Sequence, residues 1–379
     1  ANEMGLKVIT VDNRPDNPGH LLAHQTFNMS TTDKDKIFKL AKQKRINAIL
    51  SYASDAGILT ASIVAERLGL PGDSTLAVGK AQDKLLLRGI QKNLGHPVPD
   101  FSDAADDKSL EELWRKNNSG LVIKPTDRYG SAGLYIFDTK PKWKELMIAV
   151  KVAQDISFSG RVIVEQRIQR DGMQFGGDYI FYKGSLLFSS YADQYQFRTF
   201  TTEAGIGNLV PSAHKLEILE ESTRQVIELI RALGLQSGIY NTDMIVSGGE
   251  VFLLDFGARL GGNMLGEVHR YATGVDFTKA AIDLALGHKP DVTAYTSKTN
   301  AGHLVIHSDK TGLLKSINFS SELQKLILVN LKSKSVGGFV EPYRSTKDRI
   351  GILVIQSDDR DELINIYKNP IKHFGLKFV

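Results

Sequence analysis

Two apolar stretches near the middle of the chain each carry a carboxylate: Gly238-Ile239-Tyr240-Asn241-Thr242-Asp243-Met244-Ile245-Val246, and Leu253-Leu254-Asp255-Phe256-Gly257-Ala258-Arg259-Leu260-Gly261-Gly262-Asn263. Ser247-Gly248-Gly249-Glu250 between them has hairpin-turn chemistry, so the strands are expected to pair and bring Asp243 and Asp255 within reach of one cation. Two carboxylates suit Mg²⁺, which takes oxygen ligands and keeps places open for substrate phosphates. Beyond Asp255, Arg259 offers a guanidinium to an anion, and Gly261 and Gly262 let backbone approach a ligand. This is the pattern of a phosphate site.

Lys124 ends another apolar strand, immediately before Pro125, where a lone charge is costly unless it faces an anion. The loop Pro125-Thr126-Asp127-Arg128-Tyr129-Gly130-Ser131-Ala132-Gly133 has glycines, hydroxyls and an arginine, so its backbone N–H groups can fold over phosphates as a lid. A surface hairpin loop would look similar. Lys84 opens a helix in Asp83-Lys84-Leu85-Leu86-Leu87-Arg88. Arg198 lies on a loop from which its fork could clamp a substrate carboxylate. His20 and His24 read as surface or packing residues.

These residues need a scaffold, and the 379-residue chain is long enough for two or three compact units. Its 42% hydrophobic and 24% charged content is ordinary for a globular protein. The surplus of basic over acidic residues, 47 against 43, is too small and dispersed to imply nucleic acid as a partner. The chain has no cysteine, hence no disulfide framework, thiol nucleophile or thiolate metal site. No apolar run approaches the roughly 20 residues needed to span a bilayer, and no signal-peptide pattern opens the chain, which reads as cytoplasmic.

Along the chain, Ala1–Gly5 resembles a capped helix end and 6–12 a buried strand. A helix follows at 33–44, a strand at 48–52 and a helix at 55–68, the alternation of a doubly wound parallel α/β domain whose first strand is absent from this numbering. Residues 80–120 read as mainly helical. Strands at 121–124, 134–137 and 162–165, with a hairpin of 178–182 and 186–190, are expected to form a separate small α+β lobe. A helix over 216–233 leads into the acidic hairpin, another spans 277–286, and the remainder mixes strands at 303–307 and 350–355 with helices.

The ordered series of Lys84, Lys124 in Val122-Ile123-Lys124-Pro125, the loop 128–133, Val164-Glu165-Gln166-Arg167-Ile168, Asp243, Asp255 and Arg259 resembles the ATP-grasp superfamily. The layout is similar to the biotin carboxylase and carbamoyl-phosphate synthetase branch and its carboxylate–amine ligases. The resemblance implies a pre-ATP-grasp domain over 1–78, an ATP-grasp domain over 79–290 with a lid lobe at about 115–190, and a C-terminal α+β subdomain over 291–379. It implies that Lys84 and Lys124 contact ATP phosphates, with Arg128, Ser131 and Gly133 in the lid. Glu165, Gln166 and Ile168 would lie at the adenine and Gln174 at the ribose. Asp243 and Asp255 would hold one or two Mg²⁺ ions, with Mn²⁺ as a substitute. Arg259 would face the transferred phosphoryl group, and Gly261, Gly262 and His269 would border the substrate. The partners implied are a small carboxylate and an amine, joined through an acyl phosphate; the family is often dimeric.

Two positions depart from the family pattern. Gly257 stands where an asparagine usually supplies another oxygen ligand, with Asn263 or Asn241 as substitutes, and Gln174 stands where a ribose carboxylate is common. The alternatives are a bicarbonate-phosphorylating carboxylase of biotin carboxylase or purine-pathway type, a non-catalytic ATP-binding scaffold prompted by Gly257, and a Rossmann dehydrogenase without a visible dinucleotide fingerprint.

Overall fold

The computed structural model describes residues 1–128, 130, 132–198, 203–294 and 299–379, apart from the side chain of Arg198. After a short 3₁₀ turn at Asn2–Met4, closed by Gly5 at φ 70°, strand β1 (Ile9–Asp12) pairs in parallel with β2 (Gln25–Asn28). Helices α1 (Lys34–Lys44) and α2 (Asp55–Leu68) follow. Asp33 caps α1 by accepting from the Lys36 N–H, which satisfies one of the free donors at the helix start. The strand expected at 48–52 is not formed: the segment pairs with neither β1 nor β2, and without a ladder partner it stays irregular. β2 was not expected, because its Gln-Thr-Phe-Asn is mostly exposed and carries no apolar alternation.

Helices α3 (Thr75–Gln82) and α4 (Lys84–Asn93) lead to a small lobe. It contains β3 (Phe101–Asp103), α5 (Asp107–Lys116), β4 (Leu121–Pro125), β5 (Tyr135–Ile136), α6 (Trp143–Ile156) and β6 (Val162–Gln166). Its sheet has the order β3-β6-β4-β5. Leu121 and Ile123 of β4 are buried with Leu110 of α5 and Leu146 of α6. Because successive strand residues face opposite sides, Val122 and Lys124 then point to the other face of the sheet.

The large sheet begins with β7 (Phe175–Tyr182), β8 (Ser185–Arg198) and β9 (Glu203–Val210), followed by α7 (Leu216–Leu233), β10 (Gly238–Ser247) and β11 (Glu250–Gly257). Next come α8 (Leu265–Thr273), α9 (Phe277–Ala285), β12 (Asn300–Ile306), β13 (Gly312–Phe319), α10 (Ser321–Leu326), β14 (Ile327–Lys332), β15 (Phe339–Val340), β16 (Gly351–Ser357), α11 (Arg360–Lys368) and β17 (Phe374–Phe378). The strand order β11-β10-β7-β8-β9-β12-β16-β14 corrects one expectation. The hairpin of β7 and β8 belongs here and not with β4 and β6, since β7 pairs along β10 from Phe175 with Met244 to Phe181 with Gly238. Almost every residue of β7 is buried, so no alternation marked the layer it joins. Among the described residues no helix is long and apolar enough to cross a membrane.

The β10–β11 turn takes Gly248 to φ 58° and Gly249 to φ 82°, the doubly positive geometry that suits the twist of a tight hairpin. Val226, Leu229, Ile230 and Leu233 of α7 pack with Met244 and Leu253 beneath that hairpin. Register then matters. Asp243 pairs with Asp255, but Met244 pairs with Leu253, which leaves Leu254 as a bulge. The bulge turns both Leu254 and Asp255 into one cavity while Leu253 stays in the core.

Candidate functional site

That cavity, of about 450 Å³, lies between the small sheet and the large one. Val122, Lys124, Ile136 and Glu165 line it on the small-lobe side, with Gln174, Gln194, Asp243, Ile245, Leu254 and Asp255 opposite. Pro99, Val122, Ile136 and Ile168 add apolar surface to its wall, beside the charged residues.

Lys84 begins α4, whose N-cap Asp83 accepts from the N–H groups of Leu85 and Leu86. From there its Nζ donates to the Arg128 carbonyl at 3.1 Å and pairs with Asp255 Oδ1 at 3.1 Å. Lys124 Nζ pairs with Glu165 Oε2 at 2.7 Å, while the buried Arg88 donates Nε to Glu165 Oε1 at 2.6 Å. Burial alone would raise the Glu165 pKa, but the charges of Arg88 and Lys124 win and hold it at about 2. The Glu165 carboxylate is thus engaged by two cations, and Gln166, Arg167 and Ile168 of the same stretch also line the cavity.

The two acids of the hairpin are unequal. Burial, then the charge of Asp255, pushes the Asp243 carboxyl above its ordinary range. Asp255 is also driven upward by burial, yet Lys84 and Lys124 outweigh this and hold it below. Asp243 Oδ1 accepts from Gln194 Nε2 at 2.6 Å, and Gln194 Oε1 accepts from Gln174 Nε2 at 2.6 Å. A like-charged pair facing a polar cavity, with one member reluctant to ionise alone, is a donor set that fits a divalent cation. No group of three or more His, Cys, Asp and Glu side chains suited to a metal occurs among the described residues. The protein would supply two carboxylates, leaving other positions for phosphate oxygens and water, as Mg²⁺ prefers. Lys84 and Lys124 on the same cavity suit a polyphosphate, while the guanidinium of Arg128, a third residue of the lining, lies over the Phe158 ring and donates Nε to the Ile156 carbonyl at 2.5 Å.

Arg259 turns away from the main cavity into a small adjoining one lined by Asp55, Lys84, Asn241, Asp243 and Asp255. Its Nη2 pairs with Asp55 Oδ2 at 2.7 Å and its Nη1 donates to Asn241 Oδ1 at 3.1 Å. The guanidinium packs closely over Gly257, where a Cβ would lie 3.0 Å from the Arg259 Cζ. The substitutes suggested for the missing asparagine do not fill its place: Asn241 Oδ1 accepts from Arg259, and Asn263 Oδ1 from Arg349 at 2.9 Å.

Other expected positions fall elsewhere. His269 is fully buried, donates Nε2–H to Asp178 Oδ2 at 2.9 Å and stacks on Phe277, so it packs the core and does not line the cavity. Gly261 donates its N–H to the same Asp178 carboxylate at 2.8 Å, which is why backbone approaches closely there, and neither Gly261 nor the exposed Gly262 lines the cavity. Gly133, at φ 74°, closes the loop after Arg128 against Pro125 rather than facing the cavity. Arg198 ends β8, paired with Glu203, and lies on a strand, not a loop; its side chain and Ser131 lie outside the described residues. Arg88, Gln194 and Asp55 were missed. A lone arginine inside Leu85-Leu86-Leu87-Arg88-Gly89-Ile90 was the available signal for the first, and the others carried none beyond a strand amide and a helix-start acid.

No family model matches the chain. It is 23% identical over 318 residues, 76% of its length, to carnosine synthase 1 of Gallus gallus, and spans only a third of that relative. A crystal structure of an L-amino acid ligase from Bacillus licheniformis superposes with a TM-score of 0.81 at 19% identity, covering 100% of this chain and 94% of that one. The biotin carboxylase domain dimer of a 2-oxoglutarate carboxylase from Hydrogenobacter thermophilus, bound to MgADP, ADP and bicarbonate, gives 0.77 at 15% identity over 99% and 86%. The chain has the ATP-grasp fold.

Proposed function

We propose that this chain is an ATP-dependent, ADP-forming ligase that joins a carboxylate, an amino acid or related small acid, to an amine through an acyl phosphate. The observation that carries this is the register pair Asp243–Asp255 facing Lys84 and Lys124 across one cavity. A carboxylate resists nucleophiles because of its charge and has no usable leaving group. Transfer of the γ-phosphoryl group of ATP to one carboxylate oxygen creates a leaving phosphate, and the amine displaces it. Catalysis is then positioning and charge neutralisation. Asp243 and Asp255 would hold Mg²⁺, or Mn²⁺ in its place, which would neutralise phosphate charge. Lys84, Lys124 and Arg128 would orient the phosphates, Gln166 and Ile168 the base, and Gln174 the ribose. Arg259, released from Asp55, would face the transferred group. Residues 1–78, 79–290 and 291–379 would form the three units of a cytoplasmic protein, with a homodimer as its assembly.

The test is ADP formation with Mg·ATP across amino acids, singly and in pairs, with hydroxylamine as trap. Hydroxamate formed in step with ADP is expected for the right acid. ADP formation driven by bicarbonate alone would favour the carboxylase alternative. Tight ATP binding with no turnover on any acid would leave a binding scaffold.

A further inference from the structure

Arg88 heads the largest fully buried side chains of the described residues, at 1% exposure. Each nitrogen of its fork is engaged. Nε donates to Glu165, Nη1 to Gln91 Oε1 at 2.6 Å and to the Leu253 carbonyl at 3.0 Å, and Nη2 to the Leu254 carbonyl at 2.5 Å. These partners lie on three elements: α4 itself, β6 of the small lobe and β11 of the large sheet. The two carbonyls immediately precede Asp255. The other oxygen of Glu165 holds Lys124, and Lys84, one helical turn before Arg88, holds Asp255. A circuit therefore runs from Lys124 through Glu165 to Arg88, then by the helix to Lys84 and by the strand to Asp255.

Stability is a weak reason for such a group. An apolar side chain of similar volume is often as good in a core as a buried ion pair, because taking two charges out of water costs as much as their attraction returns. What a planar fork supplies, and a hydrocarbon cannot, is fixed geometry among several acceptors at once. Resting on the ligase reading, we infer that Arg88 is a positioning residue: by holding Glu165 and the backbone before Asp255 together, it sets the spacing of Lys84, Lys124 and Asp255 around the phosphates and metal.

Arg88→Lys keeps the charge and can reach Glu165, but cannot serve the two carbonyls and Gln91 as well. Calorimetric titration with Mg·AMP-PNP, below the melting temperature of each variant, is expected to show a Kd raised about tenfold or more. Lys124→Ala should then cost less affinity in the Arg88→Lys background than in the wild type, since both changes break one circuit. Should Arg88→Lys not fold, Glu165→Gln is the substitute, with the same direction expected, because it keeps an acceptor for Arg88 and removes the anion that places Lys124. A folded Arg88→Lys protein that melts earlier but binds Mg·AMP-PNP as the wild type does, with additive Lys124→Ala, would make Arg88 merely structural and overturn the inference. A wild type that binds no Mg·AMP-PNP would defeat the ligase reading and this inference with it.

Discussion

Arg259, just beyond the acidic strand, is held by Asp55 at the start of α2, across 204 residues of sequence and 2.7 Å of space. The side chain expected at a transferring phosphoryl group is thus tied to the start of α2. Burial works against the guanidinium's charge, but Asp55, joined by Asp255 and Asp178, outweighs it and raises the pKa.

Arg259→Lys keeps a charge for Asp55 but loses the bond to Asn241, at a cost on the order of 1 kcal/mol of stability. Turnover should fall much further than nucleotide affinity, because no contact to base or ribose is touched. Chemical denaturation alongside kcat and the KM for ATP separates the two. Wild-type turnover with lowered stability would reduce Arg259 to a strut between units.

Gly257→Ala places a Cβ against the Arg259 guanidinium, the movable end of a long side chain, so the ion pair should shift by a few tenths of an ångström and the fold should survive. Stability should drop by less than about 1 kcal/mol. The readout is kcat against melting temperature, with kcat the more affected.

Cation binding should be pH-dependent through Asp243. Its carboxyl is raised by burial and by Asp255, so the ionised form that a cation needs is lost, as pH falls, above the ordinary carboxylate value of 3.8. Asp255, held low by Lys84 and Lys124, stays ionised longer. Mg²⁺ affinity measured by titration against pH should therefore weaken in that upper window. In metal-free buffer at neutral pH, Asp243→Asn should raise stability, because the ionised folded form is the disfavoured one, while removing the metal response.

Glu165 has the opposite sign. Its pKa is lowered from 4.5 to about 2, so its contribution is complete above 4.5 and lost as pH falls from there toward about 2. That contribution is on the order of 3 kcal/mol. Acid unfolding of Glu165→Gln should lack this component, which urea titrations at pH 6 and about pH 3 would reveal as a smaller difference than in the wild type.

Much of the site was legible because charge within apolar runs is costly and therefore visible: Lys124, Asp243 and Asp255 each interrupt a strand pattern, and each lines the cavity. The boundaries of α2 and α7 followed from their apolar periodicity and from the glycines after them, Gly69 at φ 67° and Gly234 at φ 82°. Sheet membership was not legible. β7 is buried on both faces, and β2 is exposed and four residues long, so neither strand announces its neighbour. The partners of Arg259 and Arg88 were hidden for another reason, since contacts spanning 204 and 166 residues depend on how lobes meet and leave no local pattern. His269 followed the glycine pair closely in sequence, yet its helix turns it inward to Asp178.

The central claim is that Asp243 and Asp255 hold a divalent cation against a nucleotide's phosphates. Calorimetric titration of AMP-PNP with and without Mg²⁺, in the wild type and in Asp255→Asn, addresses it directly. The wild type should bind the nucleotide at least about tenfold more tightly with Mg²⁺, and Asp255→Asn should lose most of that gain while keeping its fold. Equal affinity with and without Mg²⁺ in the wild type, or an undiminished Mg²⁺ gain in Asp255→Asn, would contradict it.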